Sequence, residues 1–128
     1  MNYLLDTHVL IWAINEPSNL PNTIKSKIEN TENNCFISIA SFWEIAIKVS
    51  LKKLSLGMEM EDLFAITKES QFEVLNITTL DIIQVSKLPF HHHDPFDRLL
   101  ISQALTNNLV IITRDKLFGH YGNPIDWV

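Results

Sequence analysis

The sequence predicts an α/β fold in three layers, a parallel central sheet with helices on both faces. Three observations predict it. Short apolar segments alternate with longer stretches of helical periodicity. The short segments, such as Tyr3-Leu4-Leu5 and Val110-Ile111-Ile112, are apolar throughout rather than at every second position, the pattern of strands buried on both faces. Carboxylates stand where such a segment gives way to a helix start, the place where open parallel sheets bind ligands.

Tyr3-Leu4-Leu5-Asp6 reads as a short buried strand, and Thr7 is placed to cap a helix over residues 8–14. Asn15-Glu16-Pro17-Ser18 breaks it. A polar helix over residues 22–30 leads to a strand over 35–38. The next helix, 42–54, is apolar nearly all round except for the row Glu44, Lys48, Lys52. A helix over 60–70, a strand over 72–77 and a helix over 79–87 follow. The loop 88–93 precedes a helix over 95–107, with Asp94 as cap and Pro95 at its first position. A strand at 109–113, a turn or short helix at 116–120 and an edge strand at 125–128 complete one domain spanning 1–128.

At 128 residues the chain can bury a substantial core, and no repeat or low-complexity tract interrupts it. The N-terminus lacks a basic region, and Asp6 and His8 interrupt its apolar stretch, which excludes a signal peptide or membrane span and reads as cytoplasmic. Cys35, the one cysteine, cannot form an internal disulfide and reads as a small buried apolar residue. The net charge of −5 excludes a broad basic face for nucleic acid. Cations nevertheless gather beside the acids: Lys48 after Glu44, Arg98 after Asp97, Arg114 before Asp115.

Asp6, Glu44, Asp97 and Asp115 are the candidate site residues, because acids from four distant stretches converge on one rim in this topology. Crowded carboxylates repel, and a divalent cation is what such a cluster holds. Each acid also has an ordinary reading. Ser41-x-x-Glu44 matches a capping box, and Glu44 can pair with Lys48. Asp97 sits in a first helical turn, where an acid favours the macrodipole, but it heads the apolar row of Ile101, Ala104 and Leu105. Asp6 and Asp115 also suit turns. The run His91-His92-His93 reads as a solvated loop with one histidine hydrogen-bonded near the site, rather than as a zinc centre. Trp12, Trp43 and Phe96 read as core, and no glycine-rich phosphate loop exists. Leu51, Leu54, Met58 and Met60 either anchor a partner or pack inside the domain.

With these residues in place the chain resembles PIN-domain nucleases, in particular VapC-type toxins of toxin–antitoxin pairs. The likeness rests on Leu4-Leu5-Asp6-Thr7-His8-Val9-Leu10-Ile11-Trp12, Ser41-Phe42-Trp43-Glu44-Ile45-Ala46-Ile47-Lys48, Asp94-Pro95-Phe96-Asp97-Arg98-Leu99-Leu100-Ile101 and Ile111-Ile112-Thr113-Arg114-Asp115. It implies a metal-dependent ribonuclease in which Asp6, Glu44, Asp97 and Asp115 hold one or two Mg²⁺ or Mn²⁺ ions and hydrolyse RNA phosphodiester bonds. Thr7 and Thr113 match hydroxyl positions beside that site, and Lys48, Arg98 and Arg114 are placed to steady substrate phosphates. Relatives often carry arginine before Asp-Pro-Phe-Asp, where His93 stands here. The implied partners are RNA, a cognate antitoxin and a second copy in a homodimer, with no membrane. Two other readings compete. A binding module on a degenerate PIN fold would use the acids only as caps. A phosphate-accepting receiver or phosphatase domain wants Asp two residues after Asp6, where His8 stands, or an adjacent acid where Leu5 stands.

Overall fold

The computed structural model describes residues 1–126. In chain order the elements are β1 (Asn2–Leu5), α1 (Thr7–Asn15), a 3-10 turn (Pro17–Asn19), α2 (Asn22–Glu29), β2 (Asn34–Ser38), α3 (Ile39–Ser50), α4 (Met60–Glu69), β3 (Glu73–Leu75), α5 (Thr79–Lys87), α6 (Pro95–Asn107), β4 (Val110–Ile112), a second 3-10 segment (Lys116–Tyr121) and β5 (Ile125–Asp126). Among the described residues the sheet order is β3-β2-β1-β4-β5, and every pairing is parallel. The expected edge strand at 125–128 is present as β5; its last two positions lie outside the described residues.

Alternate residues of the central strands feed two separate cores. Tyr3 and Leu5, Cys35 and Ile37, and Ile112 face a cluster with Val9, Leu10, Ile24, Phe42, Ile45 and Leu63 from α1 to α4. Leu4 and Ile111 face the other cluster, with Leu100, Ile101, Ala104 and Phe118. Both faces of β1 and β4 are therefore buried, which is why these strands are apolar throughout. The chain runs outward from β1 to β2 and β3, then crosses back through α5 and α6 to β4. The reversal between β1 and β4 opens a crevice at the carboxyl ends of the strands.

Local chemistry moves some boundaries. Helix α3 starts at Ile39, and Ser38 caps it by accepting from the Ala40 N–H at 3.0 Å. Ser41 is thus inside the helix and the Ser41–Glu44 capping box is not formed. The helix ends at Ser50, two residues before Lys52 turns left-handed with φ 59°. Trp43, expected in the core, is 60% exposed. Leu54, Met58 and Met60 pack against the first core cluster, leaving only Leu51 of that group well exposed. Among the described residues no helix is long and apolar enough to cross a membrane.

Candidate metal centre

The four candidate acids line one cleft of about 370 Å³, with Asp94, Lys48, Arg114, His8 and Trp12 around them. Asp6 follows β1 and stands at the N-terminus of α1, yet its carboxylate makes no cap hydrogen bond. It accepts instead from the Thr113 hydroxyl at 2.8 Å. Burial pushes its carboxyl above the usual carboxylate range, against the pull of Thr113 and His8. Glu44, only 5% exposed, accepts from Lys48 Nζ at 2.7 Å. Asp94 supplies the α6 cap, accepting from Phe96 N–H at 2.8 Å and Asp97 N–H at 3.2 Å, so the Asp97 side chain is not needed there.

Asp97 carries the strongest electrostatic signature. Its carboxyl is pushed up to about 7, first by burial and then by the charges of Asp94, Asp6, Glu44 and Asp115. A half-buried acid pushed this far up, with four other acids adding to the effect of burial, marks a field that favours a cation. Asp115 accepts the Leu117 N–H at 2.9 Å through Oδ1 and meets His92 Nε2 at 2.9 Å through Oδ2. Ligand atoms of His92, Asp97 and Asp115 lie within 4.8 Å of one another. An oxygen-rich donor set with a net negative field suits a hard divalent cation such as Mg²⁺ or Mn²⁺, so the residues present fit the implied metal.

The remaining expected site residues divide. Lys48 and Arg114 line the cleft, with the Arg114 guanidinium 6.0 Å from the Trp12 ring centre. Thr113 is fully buried and touches the site through Asp6. Thr7 is buried and its hydroxyl donates to Ser41 Oγ at 2.9 Å, tying α1 to α3 rather than facing the cleft. Arg98 departs most from expectation. It is 6% exposed and its guanidinium donates to the carbonyls of Pro89, Val85 and Leu88 at 2.9, 3.1 and 3.2 Å. A fork already spent on main-chain oxygens does not grip a phosphate. The one histidine of the run expected to hydrogen-bond near the site is His92, which is buried beside Asp115 rather than solvated. A larger groove of about 530 Å³ at the amino ends of β2 and β3 holds no comparable cluster of acids.

An α/β domain with carboxylates gathered at the carboxyl ends of its strands is the class that this geometry defines. The profile of the family described as PIN domain matches residues 3–124, and the chain belongs to that family. No curated protein matches the chain by sequence. Solved structures share the fold. VapBC2 from Rickettsia felis, bound to a DNA fragment from their promoter, is similar at 21% identity over 98% of each chain, with a TM-score of 0.74. VapBC-1 from nontypeable Haemophilus influenzae is similar at 18% identity, covering 99% of this chain and 98% of that one, with a TM-score of 0.73. DNA-bound VapBC from Salmonella typhimurium is similar at 23% identity, covering 98% and 97%, with a TM-score of 0.69.

Proposed function

We propose that this PIN domain is a metal-dependent endoribonuclease that hydrolyses RNA phosphodiester bonds in the cytoplasm, as the toxin of a toxin–antitoxin pair. The observation that carries the reading is the gathering of Asp6, Glu44, Asp97 and Asp115 in one cleft, where burial first and the neighbouring acids second push the Asp97 carboxyl up to about 7. Asp6 and Asp97 are the residues assigned to hold the cation, with Glu44 and Asp115 completing the donor set. Bound Mg²⁺ or Mn²⁺ supplies Lewis acidity at the scissile phosphate and lowers the pKa of the attacking water. Thr113 holds Asp6 in place, and Lys48 and Arg114, at the cleft wall, are the cations proposed to steady the substrate phosphates. Unstacked RNA is the substrate form whose backbone reaches such a cleft.

The toxin role rests on the shared fold with chains of VapBC complexes. An electronegative cleft is silenced by an inserted Arg or Lys of an antitoxin, through charge-assisted contacts to the acids. The test is cleavage of single-stranded RNA by the purified protein. Cleavage is expected with Mg²⁺ or Mn²⁺, absent in excess chelator, and absent in a folded Asp97→Asn variant. Activity that survives chelation, or survives Asp97→Asn, overturns the metal reading. Relief of growth arrest by a co-expressed neighbouring gene product, with a stable complex, tests the toxin role.

A further inference from the structure

We propose that His92 is a positioning residue for Asp115: its Nε2–H orients the Asp115 carboxylate toward the cation, and Tyr121 orients the imidazole in turn. This rests on the metal-dependent reading above. The His92 ring is buried, and its Nε2 stands 2.9 Å from Asp115 Oδ2. An ionised carboxylate only accepts, so the proton between the two atoms belongs to Nε2. On its other side the Tyr121 hydroxyl accepts the main-chain N–H of His92 at 2.7 Å and lies 3.0 Å from Nδ1. Its one proton is then directed to Nδ1, and both ring nitrogens are engaged. The ring is stacked on Tyr121, with centroids 5.7 Å apart and planes at 16°, while Phe118 meets it edge-on at 4.8 Å.

Asp115 thus receives one donor on each oxygen, Leu117 N–H on Oδ1 and His92 Nε2–H on Oδ2. Two donors fix the carboxylate plane, and each oxygen keeps a lone pair for a cation. The closeness of His92, Asp97 and Asp115 would also suit direct ligation by the histidine. With its N–H directed at Asp115 Oδ2, Nε2 offers no bare lone pair, which a ligating nitrogen needs. In many metal sites a carboxylate stands behind a ligating histidine; here the histidine stands behind the carboxylate.

Long-range ¹⁵N–¹H spectra of the histidine-labelled wild-type protein, without metal and with saturating Mg²⁺, locate the proton directly. It is expected on Nε2 of His92 in both states; loss of that proton when Mg²⁺ is added identifies a direct ligand and overturns the proposal. Calorimetric titration with Mn²⁺ gives the second readout. His92→Leu removes the donor, and affinity is expected to fall roughly 10–100-fold. His92→Gln keeps an N–H at similar reach and is expected to restore most of it, with Tyr121→Phe falling between. Equal losses for the Leu and Gln variants, or no loss in either, overturn the positioning role. Should His92→Leu fail to fold, the wild-type spectra and Tyr121→Phe still decide. Wild-type protein that takes up no Mn²⁺ overturns the metal reading itself, a result distinct from wild-type binding that His92→Leu leaves unchanged.

Discussion

The Thr113 hydroxyl donates to Asp6 Oδ2 at 2.8 Å while accepting the Asp115 N–H at 3.0 Å. One buried side chain therefore joins two acids of the cleft, one from the end of β1 and the other from beyond β4. The hydrogen bond is also the largest influence drawing the Asp6 carboxyl back toward its ordinary value, against burial.

Thr113→Val keeps the shape and removes that hydroxyl. The Asp115 N–H and the Asp6 carboxylate each lose a partner in a buried setting, at a cost of about 1–3 kcal/mol. Urea denaturation at neutral pH measures it. The Asp6 carboxyl moves further up, so its ionised form is less populated at a given pH. Mn²⁺ affinity is accordingly expected to fall more at pH 6 than at pH 8, and Thr113→Ser to behave like the wild type.

Asp97 gives a pH dependence with a definite sign. Its folded-state value of about 7 lies above the ordinary 3.8. Between those values the folded protein holds a proton that the unfolded chain has released, so metal-free stability is greatest on the acid side and falls as pH rises through about 7. Asp97→Asn removes this slope. At pH 8 in chelator the variant is expected to melt above the wild type, by on the order of 1 kcal/mol once the hydrated part of the carboxyl is discounted. Saturating Mn²⁺ reverses the order, because only the wild type gains binding free energy. Thermal melts over pH 4–8 with and without Mn²⁺ check both halves.

Lys48 neutralises part of the same field. Its Nζ lies 2.7 Å from Glu44 Oε2, with Glu44 nearly buried and Lys48 half open to solvent. Removing it leaves a buried carboxylate among other acids, so Lys48→Ala is expected to cost about 1–2 kcal/mol without metal. Glu44 raises the Lys48 ammonium above 10.5, so its contribution is complete at neutral pH and lost only on strong alkalinisation. A cation in the cleft supplies charge in place of the ammonium. The deficit of Lys48→Ala in melting temperature should therefore narrow when Mn²⁺ is added.

The central fold and the gathering of the four acids in one cleft were legible because their signals are local. Leu4, Leu5, Ile111 and Ile112 are apolar side by side, which only a strand covered on both faces tolerates in this setting. Asp6 follows its segment by one residue and Asp115 by three, and Asp97 lies in the first turn of a helix. What stayed hidden depends on distant partners. Three consecutive histidines do not say which one turns inward; Tyr121, 29 positions away, selects His92. A helix apolar nearly all round does not say which face it leaves to solvent, and here it leaves Trp43. Ser38 and Ser41 are equally good caps by residue type. The strand register placing Ser38 opposite Leu75 ends β2 there and makes Ser38 the cap.

Arg98 separates a structural cation from a substrate contact. Beyond its three short bonds it reaches the His92 carbonyl at 3.5 Å and lies 4.1 Å over the Phe90 ring. The carbonyls of Val85 and Leu88 belong to the C-terminal end of α5, where a cation also opposes the helix dipole. The same guanidinium thus caps α5 and folds the loop that delivers His92. Arg98→Ala strands several buried carbonyls at once and is expected to cost about 3 kcal/mol or more. Arg98→Lys is expected to cost nearly as much, because an ammonium cannot fork across oxygens on both sides of the loop. Urea denaturation measures the loss, and hydrogen exchange at the His92 N–H should quicken in both variants as the loop loosens. A lysine variant that kept wild-type stability and exchange but bound RNA more weakly would instead make Arg98 a phosphate contact.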